Sequence, residues 1–102
     1  MILPEHISKK NQKIIDRYGL PEQLLQLQEE CAELIQAVSK YRRAGTSDDK
    51  EKRALSEQEL RYEIVDVIVV LDQIMGRIDM KPLEMEMLAD YKTTRQIGRM
   101  QK

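Results

Sequence analysis

The chain has 102 residues, enough for one domain spanning 1–102 and one modest core. Hydrophobic residues make up 41% and charged residues 34%, a balance that suits a folded protein and not a disordered one. Seventeen basic and eighteen acidic residues leave a net charge of −1, so the chain as a whole has no attraction for nucleic acid or for an anionic membrane.

The first helix is expected over about 5–18, stopping at Gly19, a residue free to adopt positive φ. Pro21 suits the opening turn of a second helix that continues to about Arg43. Lys40, Arg42 and Arg43 crowd its last turn, where cations favour the helix dipole. Within it, Leu24, Leu27, Cys31, Leu34, Val38 and Tyr41 recur at steps of three and four and predict the buried stripe. On that stripe Cys31, the single cysteine, reads as a small hydrophobe; alone it can form neither an intrachain disulfide nor a cysteine-rich zinc site.

A polar loop is expected over 44–55. Ser56 and Glu59 then form a capping-box pattern that opens a third helix, running to about Ile78. Its segment Ile64–Leu71 is rich in β-branched residues, which favour strands on propensity alone. The pattern nevertheless extends from Leu60 through Ile74 and Ile78, too long for an ordinary strand, and nothing else in the chain could pair with it. Helix is therefore expected. Asp79 and Pro82 start a fourth helix ending near Gly98, and the whole reads as all-α. Asp66 interrupts the longest apolar run, which is far short of the roughly 20 residues of a membrane span. With no basic N-terminal region leading into a long apolar stretch, the expected location is cytoplasmic.

Two acidic clusters carry the chemistry. Glu30 and Glu33 lie three apart on the second helix, as do Glu63 and Asp66 on the third, and residues so spaced share a helix face. If the two faces oppose each other, four carboxylates converge, a donor set suited to hard cations such as Mg²⁺ or Mn²⁺. Asp66 has Tyr62, Val69 and Val70 at helical spacing and Val65 and Val67 beside it. An ionised group buried there needs a distant cation or a metal, and Glu63 on the same facet favours the metal. Asp72 reads as surface charge.

Glu29-Glu30-x-x-Glu33 followed by Glu63-x-x-Asp66 resembles the signature of the MazG-like all-α nucleoside triphosphate pyrophosphohydrolases. The segment from Gln23 to Lys40, with its Glu-Leu-Ile-Gln-Ala run, is similar to that family's first motif helix, and the likeness covers roughly residues 20–100. The interval between Glu33 and Glu63 is slightly longer than is usual in the family. The resemblance implies a four-helix protomer assembling into a dimer or tetramer, and Mg²⁺ held by Glu30, Glu33, Glu63 and Asp66. It also implies Glu29 at the site as a further ligand or a guide for the attacking water. Lys40, Lys92 and Arg95 would then meet the substrate phosphates. The implied reaction cleaves a nucleoside triphosphate between the α- and β-phosphates, giving a monophosphate and pyrophosphate. Four carboxylates and a triphosphate together need two or three divalent ions for balance.

No Phe or Trp is present, so a base could stack only on His6 or on Tyr18, Tyr41, Tyr62 or Tyr91, and each tyrosine also reads as a helix-packing residue. Three other readings compete. A di-iron bundle needs two Glu-x-x-His pairs, which the single His6 cannot supply. A helix-turn-helix lacks its basic face. A non-catalytic helical scaffold accounts for the apolar surface but not for Asp66. Within the family, a phosphoribosyl-ATP pyrophosphatase or an enzyme for modified nucleotides is the runner-up. Self-association follows from the third helix, apolar nearly all round with only three others to cover it.

Overall fold

A computed structural model describes residues 2–101. It contains four helices: α1 (Glu5–Tyr18), α2 (Leu20–Ala44), α3 (Lys50–Arg77) and α4 (Pro82–Met100). There is no strand among the described residues, so the β-branched run of α3 is helical as expected. None of the helices is long and apolar enough to cross a membrane.

Single residues decide the junctions. Gly19 takes φ 87° and donates its amide to the Ile15 carbonyl at 2.8 Å, so α1 and α2 meet across one residue that needs the freedom of glycine. Ile15 itself is fully buried under this corner. The α2–α3 turn is only residues 45–49, shorter than the expected loop. Asp49 Oδ1 accepts from the amides of Glu51 (3.0 Å) and Lys52 (3.2 Å) and so caps α3. α3 therefore starts six residues before Ser56. Lys50 to Leu55 are mostly good helix formers, and with a cap in place nothing halts them. Ser56 is interior to the helix, where its hydroxyl donates back to the Arg53 carbonyl at 2.9 Å.

α2 and α3 form an antiparallel pair with a seven-residue rhythm. On α2 the line facing inward is Gln23, Glu30, Ala37 and Ala44, with Glu30 half-buried and the others buried. On α3, Ser56, half-buried Glu63 and buried Val70 follow the same interval, as do Val67 and Ile74. Steps of seven keep a seam facing its partner, and small residues let the backbones come close. The predicted apolar stripe of α2 is not this seam. Leu24, Val38 and Tyr41 remain 44%, 41% and 40% exposed, and Cys31 is half-buried. All four tyrosines are exposed, so none packs in the core of this chain.

A buried polar chain closes one end of the seam. Gln23 Nε2 donates to Gln73 Oε1 (2.5 Å), Gln73 Nε2 to Asn11 Oδ1 (3.0 Å), and Asn11 Nδ2 to Asp72 Oδ2 (2.8 Å). Asp72 also accepts from Ser8 Oγ (2.8 Å) and from the amides of Ile2 (2.8 Å) and Leu3 (3.5 Å). It is 4% exposed, which corrects its reading as a surface charge. Desolvation raises its pKa, but the bonds from Asn11, Ile2, Ser8 and Leu3 outweigh that, and the net shift is below the ordinary 3.8. One carboxylate thus ties α1 and the segment before it to α3.

α4 packs against none of α1, α2 or α3 and buries none of its residues. Leu83, Met87, Leu88, Tyr91 and Ile97 are exposed along it.

Candidate metal centre

The site grows out of the α2–α3 seam. Gln23 bonded to Gln73 at one end, and Lys40 at 4.0 Å from Glu59 nearer the turn, fix a register that sets Glu30 opposite Glu63. Glu33, one turn beyond Glu30, reaches the same volume. Glu30, Glu33 and Glu63 each offer one oxygen, and the three atoms lie within 4.8 Å of one another. Ligand oxygens around one octahedral Mg²⁺ stand about 2.9 to 4.2 Å apart, given bonds of about 2.1 Å, so this set is near the required size.

The electrostatics of the cluster are unbalanced. Gln26 Nε2 donates to Glu30 Oε1 at 2.8 Å, but Glu30 Oε2 and Glu63 Oε2 are buried with no hydrogen-bond partner. Buried acceptors are ordinarily satisfied, and those of a carboxylate are among the costliest to leave bare. Desolvation, first, and then repulsion from Glu33 and Asp66 push the Glu30 carboxyl above its usual 4.5, against the lowering effect of Gln26. Glu63 is raised by desolvation and by the charges of Glu33, Asp66 and Glu30. Among the described residues no cation pairs with Glu30, Glu33 or Glu63; Lys40, which lines a cleft with Glu33 and Glu63, leans on Glu59.

The other expected residues are placed differently. Asp66 lies outside the 4.8 Å set, though it is close enough to act on both Glu30 and Glu63. It is exposed and not enclosed by its valine neighbours, so the burial argument made for it fails within a single chain. Glu29 is exposed beside Glu30 and lies outside the set of converging oxygens found among the described residues. Lys40 lines a cleft of about 290 Å³ together with Glu33, Gln36, Ala37, Glu59 and Glu63. Lys92 and Arg95 sit on α4, which the chain does not bring to the carboxylates; the Arg95 guanidinium lies 5.6 Å from the ring centre of Tyr91 instead.

Sequence reasoning missed Asp72 and the amide chain leading to it. The available signal was an Asp-Gln pair within the apolar run Val69 to Met75. Comparison with protein-family models, with curated proteins and with solved structures finds no match for the chain.

Proposed function

We propose that the chain is a divalent-metal-dependent hydrolase that cleaves a nucleoside triphosphate between its α- and β-phosphates, as its resemblance to the MazG-like pyrophosphohydrolases implies. One observation carries the reading: three glutamates from two helices converge while two of their buried oxygens are left without a donor. A fold that supplies four donors to Asp72 supplies none to Glu30 Oε2 or Glu63 Oε2. A bound cation would satisfy both.

In this reading Glu30, Glu33 and Glu63 would hold Mg²⁺, with Mn²⁺ as a substitute, and Asp66 would join them from the next turn of α3. The metal supplies charge neutralisation at the phosphates and a lower pKa for the attacking water. The rest falls to the chain. Gln26 fixes the rotamer of Glu30 through Oε1 and leaves Oε2 directed away from it. Glu29, on the solvent side, would orient the water for attack on the α-phosphorus. The α–β anhydride bond breaks, the bridging oxygen leaves with pyrophosphate, and the proton lost by water passes to solvent. Lys40, which lines the same cleft as Glu33 and Glu63, would meet the departing charge. Positioning and electrostatics account for this chemistry without a covalent intermediate.

We also infer self-association into a dimer or tetramer. The chain exposes 8101 Å², against roughly 6,000 Å² for a compact monomer of its mass. Its radius of gyration is 16.8 Å, against about 13 Å. An uncovered α4 supports the same reading, and another copy would bring an α4 with its Lys92 and Arg95. Light scattering that finds a stable monomer at working concentration removes it. The same uncovered surface would suit a non-catalytic scaffold, but a scaffold leaves the orphaned oxygens without a purpose.

The test is a panel of nucleoside triphosphates with Mg²⁺, scored for pyrophosphate against orthophosphate. Pyrophosphate is expected; orthophosphate as sole product overturns the bond assignment. Asp66→Asn should keep the fold, since the residue is exposed, and lose metal binding and turnover. A scaffold would lose neither.

A further inference from the structure

The carboxylate cleft does not end at Lys40. Lys40 and Glu59 also line a second cleft of about 350 Å³ that continues along the α2–α3 seam toward the turn, where Arg43, Lys52 and Ser56 join them. Three cations from two helices thus border one concavity against a single acid. Lys40 is loosely paired with Glu59, whereas Arg43 and Lys52 form no ion pair among the described residues. Ala44, Ser56 and the exposed Leu55 complete the lining of the same cleft.

The seam is polarised by this arrangement. Away from the turn it closes on Gln23, Gln73, Asn11 and Asp72, whose hydrogen bonds are made to one another, and Arg77 is bound to Asp16 at 2.5 Å. Along the cleft, the cations without an ion pair among the described residues, Arg43 and Lys52, lie toward the turn. Ser56 is seven residues from Glu63 and Lys40 seven from Glu33, about 10 Å along each axis. An extended polyphosphate anchored at the glutamates and the long side chains of Lys40, Arg43 and Lys52 together close that interval. Arginine suits phosphate through its planar set of donors and lysine through its compact charge.

We propose that the Lys40–Arg43–Lys52 cleft receives the terminal phosphates of the substrate, and hence the pyrophosphate product. Arg43 and Lys52 are the binding residues that set the direction of the triphosphate along the seam. The proposal rests on the hydrolase reading for its substrate, but the cleft can be tested without turnover. Binding of inorganic pyrophosphate in the presence of Mg²⁺ is measured by calorimetry for the full chain. The variants are the double substitution Arg43→Gln/Lys52→Gln and, as a control of equal charge change, Lys10→Gln/Lys13→Gln on α1. Circular dichroism establishes that each is folded.

The first double variant should bind pyrophosphate at least tenfold more weakly, and the control within twofold of the parent chain. Equal losses in both, no loss in either, or no binding by the parent chain overturns the proposal. If pyrophosphate binding is lost selectively while no triphosphate is hydrolysed by the parent chain, the anion site stands and the hydrolase reading falls. If hydrolysis proceeds and Arg43→Gln/Lys52→Gln leaves both pyrophosphate affinity and KM unchanged, the hydrolase reading stands and the anion site falls.

Discussion

α3 carries two acidic centres nine residues apart, and the chain treats them in opposite ways. Asp72 is buried among four donors, and its acidity is strengthened. Glu63, facing Glu30 across the seam, has a buried oxygen with no donor, and its acidity is weakened. Burial alone does not explain the difference, because desolvation acts on both in the same direction. What differs is the company: amides and a hydroxyl at Asp72, other carboxylates at Glu63. The first centre belongs to the architecture of the fold. The second works against it, gathering like charges where no donor answers them.

The contrast can be broken first at Glu63. Glu63→Gln should lower pyrophosphate release by more than the roughly 10- to 100-fold lost when even an outer-shell partner of a metal site is removed. Its melting temperature without metal should hold or rise, because a repelling charge has gone. A folded variant with unchanged turnover would remove Glu63 from the site. Asp72→Ala should do the reverse. Leaving its donors unpaired costs about 3 kcal/mol, or roughly 10 °C or more in thermal midpoint for a chain of this size. Activity measured well below that midpoint should persist.

A third test sharpens the comparison. Mg²⁺ at 100 times its dissociation constant should stabilise the parent chain by about 2.7 kcal/mol. The same increment should appear in Asp72→Ala and vanish in Glu63→Gln, as read by thermal shift with and without EDTA. The smallest effect is with pH. Asp72 has a folded-state pKa below 3.8, so its contribution is present above that value and lost as pH falls through the lowered one. Glu30 and Glu63 have pKa values raised above 4.5. Their protonated forms stabilise the metal-free fold below 4.5, and that contribution is lost as pH rises through the raised values. Asp72→Ala should therefore flatten the acid limb of the metal-free stability curve. Substituting Gln at both 30 and 63 should flatten the limb above it.

Much of the fold was legible in the sequence because its punctuation is local. Gly19 and Pro21 mark the α1–α2 corner, and the length of the β-branched run excluded a strand. The start of α3 was not legible, since Ser56-x-x-Glu59 has the pattern of a cap and only the Asp49 side chain, already bound to two amides, removes the need for one. Three of the four carboxylates expected to converge do so, because spacing along a helix is a one-dimensional fact. Which side of a helix faces its neighbour is not. Asp66 and Asp72 both lie among apolar residues at helical spacing, and the same reasoning applied to either. Only the approach of α1, through Ser8 and Asn11, decides that Asp72 is enclosed and Asp66 is not. The inward face of α2 escaped detection for a related reason. Gln23, Glu30, Ala37 and Ala44 are small or polar, and an apolar stripe is the wrong signal for a seam made by close backbone approach.

The isolation of α4 has a kinetic consequence. Nineteen residues without tertiary contacts are near the length at which a helix in water is only marginally stable, so its amides should exchange with solvent deuterium almost as those of a free peptide do. The interior turns of α2 and α3 should hold theirs far longer, with the boundary falling near Met80. Any body that docks on α4 would slow its exchange in proportion to occupancy. Deuterium uptake over 82–100, followed across a dilution series, would then serve as a gauge of association within a single sample.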